Sequence, residues 1–523
     1  MPIPVANLAC LLLQTARRWP DRPAVIRGDR VWTWAELTGR VQAAAGALVA
    51  QGIQPGDRVL VHSRNCTAML ETMWAAWMVG AVWVPTNFRL TPPEVAYLAE
   101  SSGATVHIFD AAFPDHAAAA RAANPAMQVE LWLHDPTPPV SLAEDGAESW
   151  ETKATYHKPL AIPTDVDRDH PAWFFYTSGT TGRPKAAVLT HGQMQFVVNN
   201  HLADLIPGTT EHDVSLVVAP LSHGAGVHAL IQVPRGAASV LLSGDRLDCE
   251  ESWQLVERHR VTNLFTVPTI LTILTRHDAV DRYDHASLRY VIYAGSPMYR
   301  ADQLHALQKL GPVLVQYYGM GEVTGAITVL PAAMHSVNDH DMPLGSCGYP
   351  RTGMDVAILD TNGQRLDDGE TGEICVRGPA VLAGYFNNIE ANEKAFAGAW
   401  FHTGDLGHMD ARGFLYITGR ASDMYISGGS NVYPREIEEA LLTHPAVVEA
   451  CVVGMPHPKW GECGVAVLVA PEIPDAELFA HLEGRLARYK WPVRFAFWPE
   501  LPKSGYGKVT KRDIKRLLEK TDG

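Results

Sequence analysis

WFFYTSGTTGRPKAAVLTH, from Trp173 to His191, is the stretch on which the reading of this chain turns. An apolar, aromatic strand opens it and runs into Thr177-Ser178-Gly179-Thr180-Thr181-Gly182-Arg183-Pro184-Lys185. Two glycines let the backbone curve closely around an anion. Four hydroxyls, the amide N–H groups and Lys185 can all donate to phosphate oxygens. The spacing differs from the G-x-x-x-x-G-K-[ST] phosphate loop. A lone Gly/Thr run reads equally well as a flexible polar turn. Hydroxyls packed against a lysine directly behind a buried strand favour an anion cradle.

Outward from this loop, the first half of the chain alternates helical and strand patterns. Trp34 to Ala50 carries apolar residues at helical spacing, Arg58 to His62 is a short β-rich run, and Thr67 to Val79 is helical again. Ala81 to Pro85 reads as a strand, Thr91 to Ser101 as a helix capped by Thr91, and Thr105 to Phe109 as another strand. Such alternation predicts parallel sheets covered by helices. Tyr156 to Pro171 is polar and proline-bearing, hence a loop, while Val214 to Pro220 and Leu288 to Gly295 continue the strands. After about Gly419 the character changes. Strands at Ala450 to Val453 and Val465 to Val469, a helix from Asp475 to Tyr489 and a basic tail describe a smaller body. The expected fold is a large α/β N-terminal domain of stacked sheets with helices, residues 1–419. A small α+β C-terminal domain, residues 420–523, follows on a hinge.

The composition fits a multidomain globular protein: 523 residues, 47% hydrophobic and 19% charged. A net charge of −14 argues against nucleic acid and against a polybasic membrane anchor. The seven cysteines are scattered, odd in number and form no C-x-x-C pair, which suits reduced thiols in a cytoplasm. The N-terminus lacks the cationic start of a signal peptide. Met73 to Pro85, the most apolar stretch, is shorter than the roughly 20 residues a membrane span needs.

Further motifs follow the glycine-rich loop in order: PLSHGAG (Pro220 to Gly226), YAGSPM (Tyr293 to Met298), YYGMGE (Tyr317 to Glu322) and WFHTGDLG (Trp400 to Gly407). GRASDMYISGGSNVYPREIE (Gly419 to Glu438) and LPKSGYGK (Leu501 to Lys508) complete the set. Together with the loop they resemble the adenylate-forming superfamily, which includes acyl-CoA synthetases, nonribosomal peptide synthetase adenylation domains and beetle luciferases. The resemblance covers nearly the whole chain.

That resemblance implies a site. Thr177, Ser178, Gly179, Thr180, Thr181, Gly182 and Lys185 would bind the phosphates of ATP, with Glu322 and Thr180 associated with Mg2+. A hard carboxylate oxygen suits that ion. Tyr318 would stack adenine, Gly319 would join the ATP site beside it, and Gly295 and Ser296 would border the other side. Asp405 would accept from the ribose hydroxyls, and Arg420 would hold the ribose or phosphate edge. Lys508, on a glycine-bearing loop in the basic tail, matches the lysine that bridges carboxylate and α-phosphate. His223, Gly226, Val227, Met320 and Ala326 would line the acyl pocket, His223 as its gate. Gly428 and Gly429 match glycines of the pantetheine tunnel, and Ser422 holds the hinge position. Three residues depart from the family pattern: Gly321 for Thr or Ser, Ser422 for Asp or Lys, and Ser430 for Glu.

The implied activity is ATP-dependent ligation of a carboxylic acid to CoA through an acyl-adenylate, releasing AMP and pyrophosphate. Mg2+ is the cofactor, and ATP and CoA are co-substrates. The pocket segments are apolar and small and offer no cation for a second carboxylate, so the expected acid is an apolar monocarboxylate, aromatic or medium-chain. The main rival is an acyl-AMP ligase loading a carrier-protein thiol. The chain ends soon after Lys508 without a carrier domain, which favours free CoA. A luciferase-like oxygenase is a remote third reading. A non-catalytic nucleotide sensor is disfavoured by Lys185, Glu322, Asp405 and Lys508. A cytoplasmic location and a homodimer complete the expectations.

Overall fold

The protein, here a computed structural model, is described at residues 4–133, 148–177, 183–296, 298–428, 430–503 and 509–522. It forms two compact units. The first comprises Met1–Pro297, Asp302–Asp355 and Arg377–Lys394, the second Met298–Ala301, Val356–Val376 and Ala395–Gly523.

Two sheets build the first unit. One has seven strands in the order Lys185–Thr190, Pro171–Thr177, Val82–Thr86, Arg58–His62, Val106–Asp110, Val129–Leu133, Glu148–Ser149. Its neighbours are parallel except for the first two, which pair antiparallel. The other has nine: Tyr349–Pro350, Thr328–Leu330, Leu314–Tyr318, Tyr290–Tyr293, Asn263–Thr266, Val214–Val217, Ala238–Leu241, Pro23–Arg27, Arg30–Thr33. Its six central strands are parallel and its edges antiparallel. Parallel strands need cover on both faces, which is why Val82–Thr86 and Val106–Asp110 are buried at every residue.

The helices start and stop where local chemistry directs. Thr33 and Glu36 form a capping box at the head of helix Trp34–Ala50. Helix Thr67–Val79 is buried at every position but Ala68 and ends at Gly80, whose φ of 78° is left-handed. Thr91 caps Pro92–Ser102 as expected. Strand ends move by a residue or so, to Val82–Thr86 and Val106–Asp110. Val214–Val217 and Tyr290–Tyr293 are shorter than read.

The second unit holds a four-stranded sheet, Asp355–Leu359, Gly372–Arg377, Phe401–Met409 and Leu415–Arg420. It also holds a sheet ordered Ser430–Val432, Tyr425–Ser427, Gly461–Val469, Glu449–His457, with Arg494–Phe497 parallel to Gly461–Val469. Strand Glu449–His457 serves two cores by its period of two: Val452 packs with Ile437, Leu441 and Leu468, Cys451 and Val453 with Ile514 and Leu518. The expected helix from Asp475 to Tyr489 stops at Leu482, because Glu483 turns extended and Gly484 takes a φ of 75°. By compactness the four-stranded sheet groups with the second unit. Among the described residues no helix is long and apolar enough to cross a membrane.

Candidate active site

Strands Pro171–Thr177 and Lys185–Thr190 pair with Thr177 directly opposite Lys185, so the glycine-rich loop leaves and re-enters the sheet at one place. Ser178, Gly179, Thr180, Thr181 and Gly182 lie outside the described residues. Glu322 meets this hairpin from the other sheet. It sits in the 3₁₀ turn Gly321–Val323, three residues beyond strand Leu314–Tyr318, and is 5% exposed. The Thr177 hydroxyl donates to Glu322 Oε1 at 2.8 Å, and the Tyr385 phenol donates to the same oxygen at 3.1 Å. The Leu382 amide donates to the Glu322 carbonyl at 2.8 Å.

Such hydrogen bonds offset part of the cost of burying a carboxylate. Burial, and then the Glu322 charge, pushes the Tyr385 phenol far up, so Tyr385 stays a protonated donor. The Lys185 ammonium lies 5.3 Å from the centre of the Tyr385 ring. Both bonds from Thr177 and Tyr385 fall on Oε1. A hard anionic oxygen is the donor that Mg2+ takes, so Glu322 fits that ion.

Phe175 and His223 wall the same place. Their rings meet edge to face, centroids 4.8 Å apart. His223 is the N-cap residue of helix Gly224–Gln232, and its Nδ1 lies 3.2 Å from the Ser222 hydroxyl. A Cβ on Gly226 would collide with the Leu221 carbonyl, so this glycine permits a close approach of backbone. Val227 and Ala326 are buried, and Met320 is half-buried. A Cβ on Gly319 would collide with the Gly325 backbone. Tyr318 ends strand Leu314–Tyr318 half-buried, and Gly295 and Ser296 lie exposed just past strand Tyr290–Tyr293.

Within the second unit, Asp405 and Arg420 face each other across neighbouring strands, Nε to Oδ1 at 3.0 Å. The Asp405 amide donates to the Thr403 hydroxyl at 3.0 Å. Glu373 supports the same loop: Oε2 bonds His402 Nδ1 at 2.8 Å and Oε1 accepts from the Gly404 amide at 3.0 Å. Ser422 is exposed in the turn after Arg420. Gly428, at φ 57°, donates its amide to the Trp460 carbonyl at 2.9 Å. Gly429 and Lys508 lie outside the described residues.

Sequence reasoning missed three participants: Tyr385 on Glu322, Phe175 beside Gly321, and Arg351. No cation was expected beside the acyl-pocket segments, yet Arg351 is 1% exposed and its Nη1 donates to the Gly325 carbonyl at 3.3 Å. The only local signal for Arg351 is its place after Tyr349–Pro350, among turn residues, where an exposed arginine is the ordinary reading.

Residues 12–386 match the family model of the AMP-binding enzyme, and residues 436–508 match the AMP-binding enzyme C-terminal domain. The chain is 37% identical over 511 residues to a feruloyl-CoA synthase of Amycolatopsis sp, covering 96% of this chain and 97% of that protein. It is 33% identical over 505 residues to an indoleacetate–CoA ligase of Aromatoleum aromaticum, covering 95% and 96%. Among solved structures, o-succinylbenzoate coenzyme A synthetase from Bacillus subtilis, in complex with ATP and a magnesium ion, superposes with a TM-score of 0.83. That pair is 30% identical and covers 99% of this chain and 100% of the other. With the glutamate-centred site built on two helix-covered sheets, and both family models matched in order along the chain, this protein belongs to the AMP-binding, adenylate-forming enzymes.

Proposed function

We propose that this enzyme joins a carboxylic acid, aromatic or medium-chain, to CoA in two steps at one site. In the first, a carboxylate oxygen attacks the α-phosphorus of ATP and pyrophosphate leaves, carrying the electron pair of the broken P–O bond. In the second, the CoA sulfur attacks the acyl carbon and AMP leaves as the C–O bond breaks, with the thiol proton lost to solvent. The observation that carries this reading is the buried Glu322 carboxylate, held by Thr177 and Tyr385 where the glycine-rich loop begins.

Glu322, with Thr180, is our assignment for Mg2+, which when bound offsets phosphate charge. Lys185, the hydroxyls of Ser178, Thr180 and Thr181, and the loop backbone from Thr177 to Gly182 hold phosphate oxygens. Tyr318, Gly319, Gly295 and Ser296 take adenine, while Asp405 and Arg420 take the ribose. Lys508 supplies positive charge between carboxylate and α-phosphate. His223 gates an acyl pocket lined by Gly226, Val227, Met320 and Ala326, and Gly428 with Gly429 lines the thiol approach. Residues 1–419 and 420–523 act as two bodies about Ser422. Seven unpaired cysteines accord with a reducing compartment, and we assign the enzyme to the cytoplasm.

The test is pyrophosphate release across a panel of acids, with and without CoA, followed by mass detection of the thioester. Thioester formation that requires CoA is the expected result. Adenylate that CoA leaves unconsumed, but a carrier-protein thiol consumes, assigns the carrier-protein ligase instead.

A further inference from the structure

We propose that Arg351, His201 and His228 read the far end of the acid and take a neutral oxygen substituent there, a hydroxyl or carbonyl. This rests on the ligase reading above and names the substrate class more closely.

The three residues come from separate elements of the first unit. His201 lies in helix His191–Asp204, His228 in helix Gly224–Gln232, and Arg351 just past strand Tyr349–Pro350. They are 0%, 3% and 1% exposed. His228 stacks on Phe265 with centroids 4.4 Å apart and planes within 9°, and His201 meets His228 edge-on at 5.6 Å. Tyr317 lies 6.1 Å from both imidazoles. Among the described residues, both ring nitrogens of His228, Nε2 of His201, and Nε and Nη2 of Arg351 have no hydrogen-bond partner. Buried polar atoms are nearly always bonded, and five such nitrogens in one cluster mark a place built for a polar group.

The cluster adjoins the acid-binding segments. Arg351 holds the carbonyl of Gly325, three residues past Glu322. His228 lies on the helix headed by His223, whose ring meets Phe175. A substrate activated beside Glu322, with its chain running between Gly325 and the helix headed by His223, therefore ends at these nitrogens.

Charge decides which oxygen is welcome. Asp204 Oδ2 lies 3.7 Å from Arg351 Nε and answers its positive charge. Burial lowers His228 to about 3 and His201 well below the usual imidazole range, so both rings are neutral. Burial also lowers Arg351, to about 10, leaving it protonated at neutral pH. The cluster is thus close to neutral overall, and a second carboxylate would enter without a counter-charge. A hydroxyl can accept from guanidinium and donate to an imidazole nitrogen, and a carbonyl can accept from either.

The experiment compares matched acids on the full chain with ATP, Mg2+ and CoA. Phenylacetate and phenylpropionate are set against their ring-hydroxylated forms, and octanoate against its ω-hydroxy, ω-oxo and ω-carboxy forms. Within at least one series the neutral-oxygen acid should exceed its unsubstituted parent by about tenfold or more in kcat/KM. It should also exceed the ω-carboxy acid. In His228→Phe and Arg351→Met that ratio should fall towards one, with thermal melts confirming folded protein. If Arg351→Met does not fold, the wild-type ratio and His228→Phe decide. Parent acids preferred in every series, a distal carboxylate preferred, or variants that keep the wild-type ratio each overturn the assignment. Absence of thioester with every acid overturns the ligase reading itself, and this assignment with it.

Discussion

The Phe175 ring occupies the space that a side chain on Gly321 would need: a Cβ there would lie 2.5 Å from Phe175 Cδ1 and 2.9 Å from Thr177 Cγ2. The missing Thr or Ser at this position is therefore matched by an aromatic ring rather than left as a gap. If Thr180 or Thr181 supplies the missing hydroxyl, the sequence predicts little change in ATP kinetics from Gly321→Thr, and the geometry adds a steric cost to that expectation. Overpacking of this kind costs about 1–3 kcal/mol, and here it would displace Thr177 from Glu322. Gly321→Ala should lower the melting temperature and slow pyrophosphate release about tenfold. Phe175→Leu in the same chain should recover part of both. Unchanged melting and rate in Gly321→Thr would remove the contact from consideration.

Glu322→Gln keeps a carbonyl acceptor for Thr177 and Tyr385 and loses only the charge. The fold should persist, while adenylation falls by about 10²–10³, the cost of one lost electrostatic contact in the transition state. Tyr385→Phe removes one donor and leaves the carboxylate, so its effect should be smaller, about tenfold. Single-turnover pyrophosphate release ranks the two. A Tyr385→Phe defect larger than that of Glu322→Gln would reverse their roles.

Lys508→Ala should abolish acyl-adenylate formation yet leave thioester formation from supplied acyl-adenylate largely intact. Its ammonium serves the charge that develops in the first step only. Rapid-mix assays of each half-reaction separate the steps, and equal losses in both would contradict the division. Acetylation of Lys508, which deletes the same charge, should reproduce the alanine effect.

Two amides, from Asp423 and Met424, close the turn after Arg420 by donating to its carbonyl at 3.0 and 3.1 Å. The Ser422 amide takes part in neither bond, so proline there removes no turn closure while fixing φ near −65°, to within about 15°. Ser422→Pro should hold one domain arrangement, with pyrophosphate released in a single turnover and CoA thioester output collapsed. Wild-type thioester output from Ser422→Pro would move the pivot elsewhere in the chain.

Burial lowers His62, His191 and His228 to about 3 from an ordinary 6.5. Between these values the unfolded chain binds protons that the folded chain refuses. Stability is therefore complete above about pH 6.5 and is lost progressively as pH falls towards 3. His228→Phe, stacking on Phe265 without a titrating ring, should flatten the slope of unfolding free energy against pH in that window. An unaltered slope would mean that His228 titrates normally.

Taken alone, the sequence determined much of what a short window can encode. Helices Trp34–Ala50 and Thr67–Val79 and strand Arg58–His62 are found at the residues where apolar spacing, caps and glycine put them. The motif order from Thr177 to Lys508 was enough to name the family, because anion-binding loops and short charged motifs are local chemistry. Three relationships were beyond its reach. Tyr385 reaches Glu322 across 63 positions, Phe175 meets Gly321 from the other sheet, and Arg351 slips beneath Gly325. Each depends on which faces the sheets bring together, and on whether a side chain ends in water or in the core. Residue spacing carries no such information. The packing of parallel strands and their covering helices decided it, by burying polar groups only where partners from distant segments could meet them.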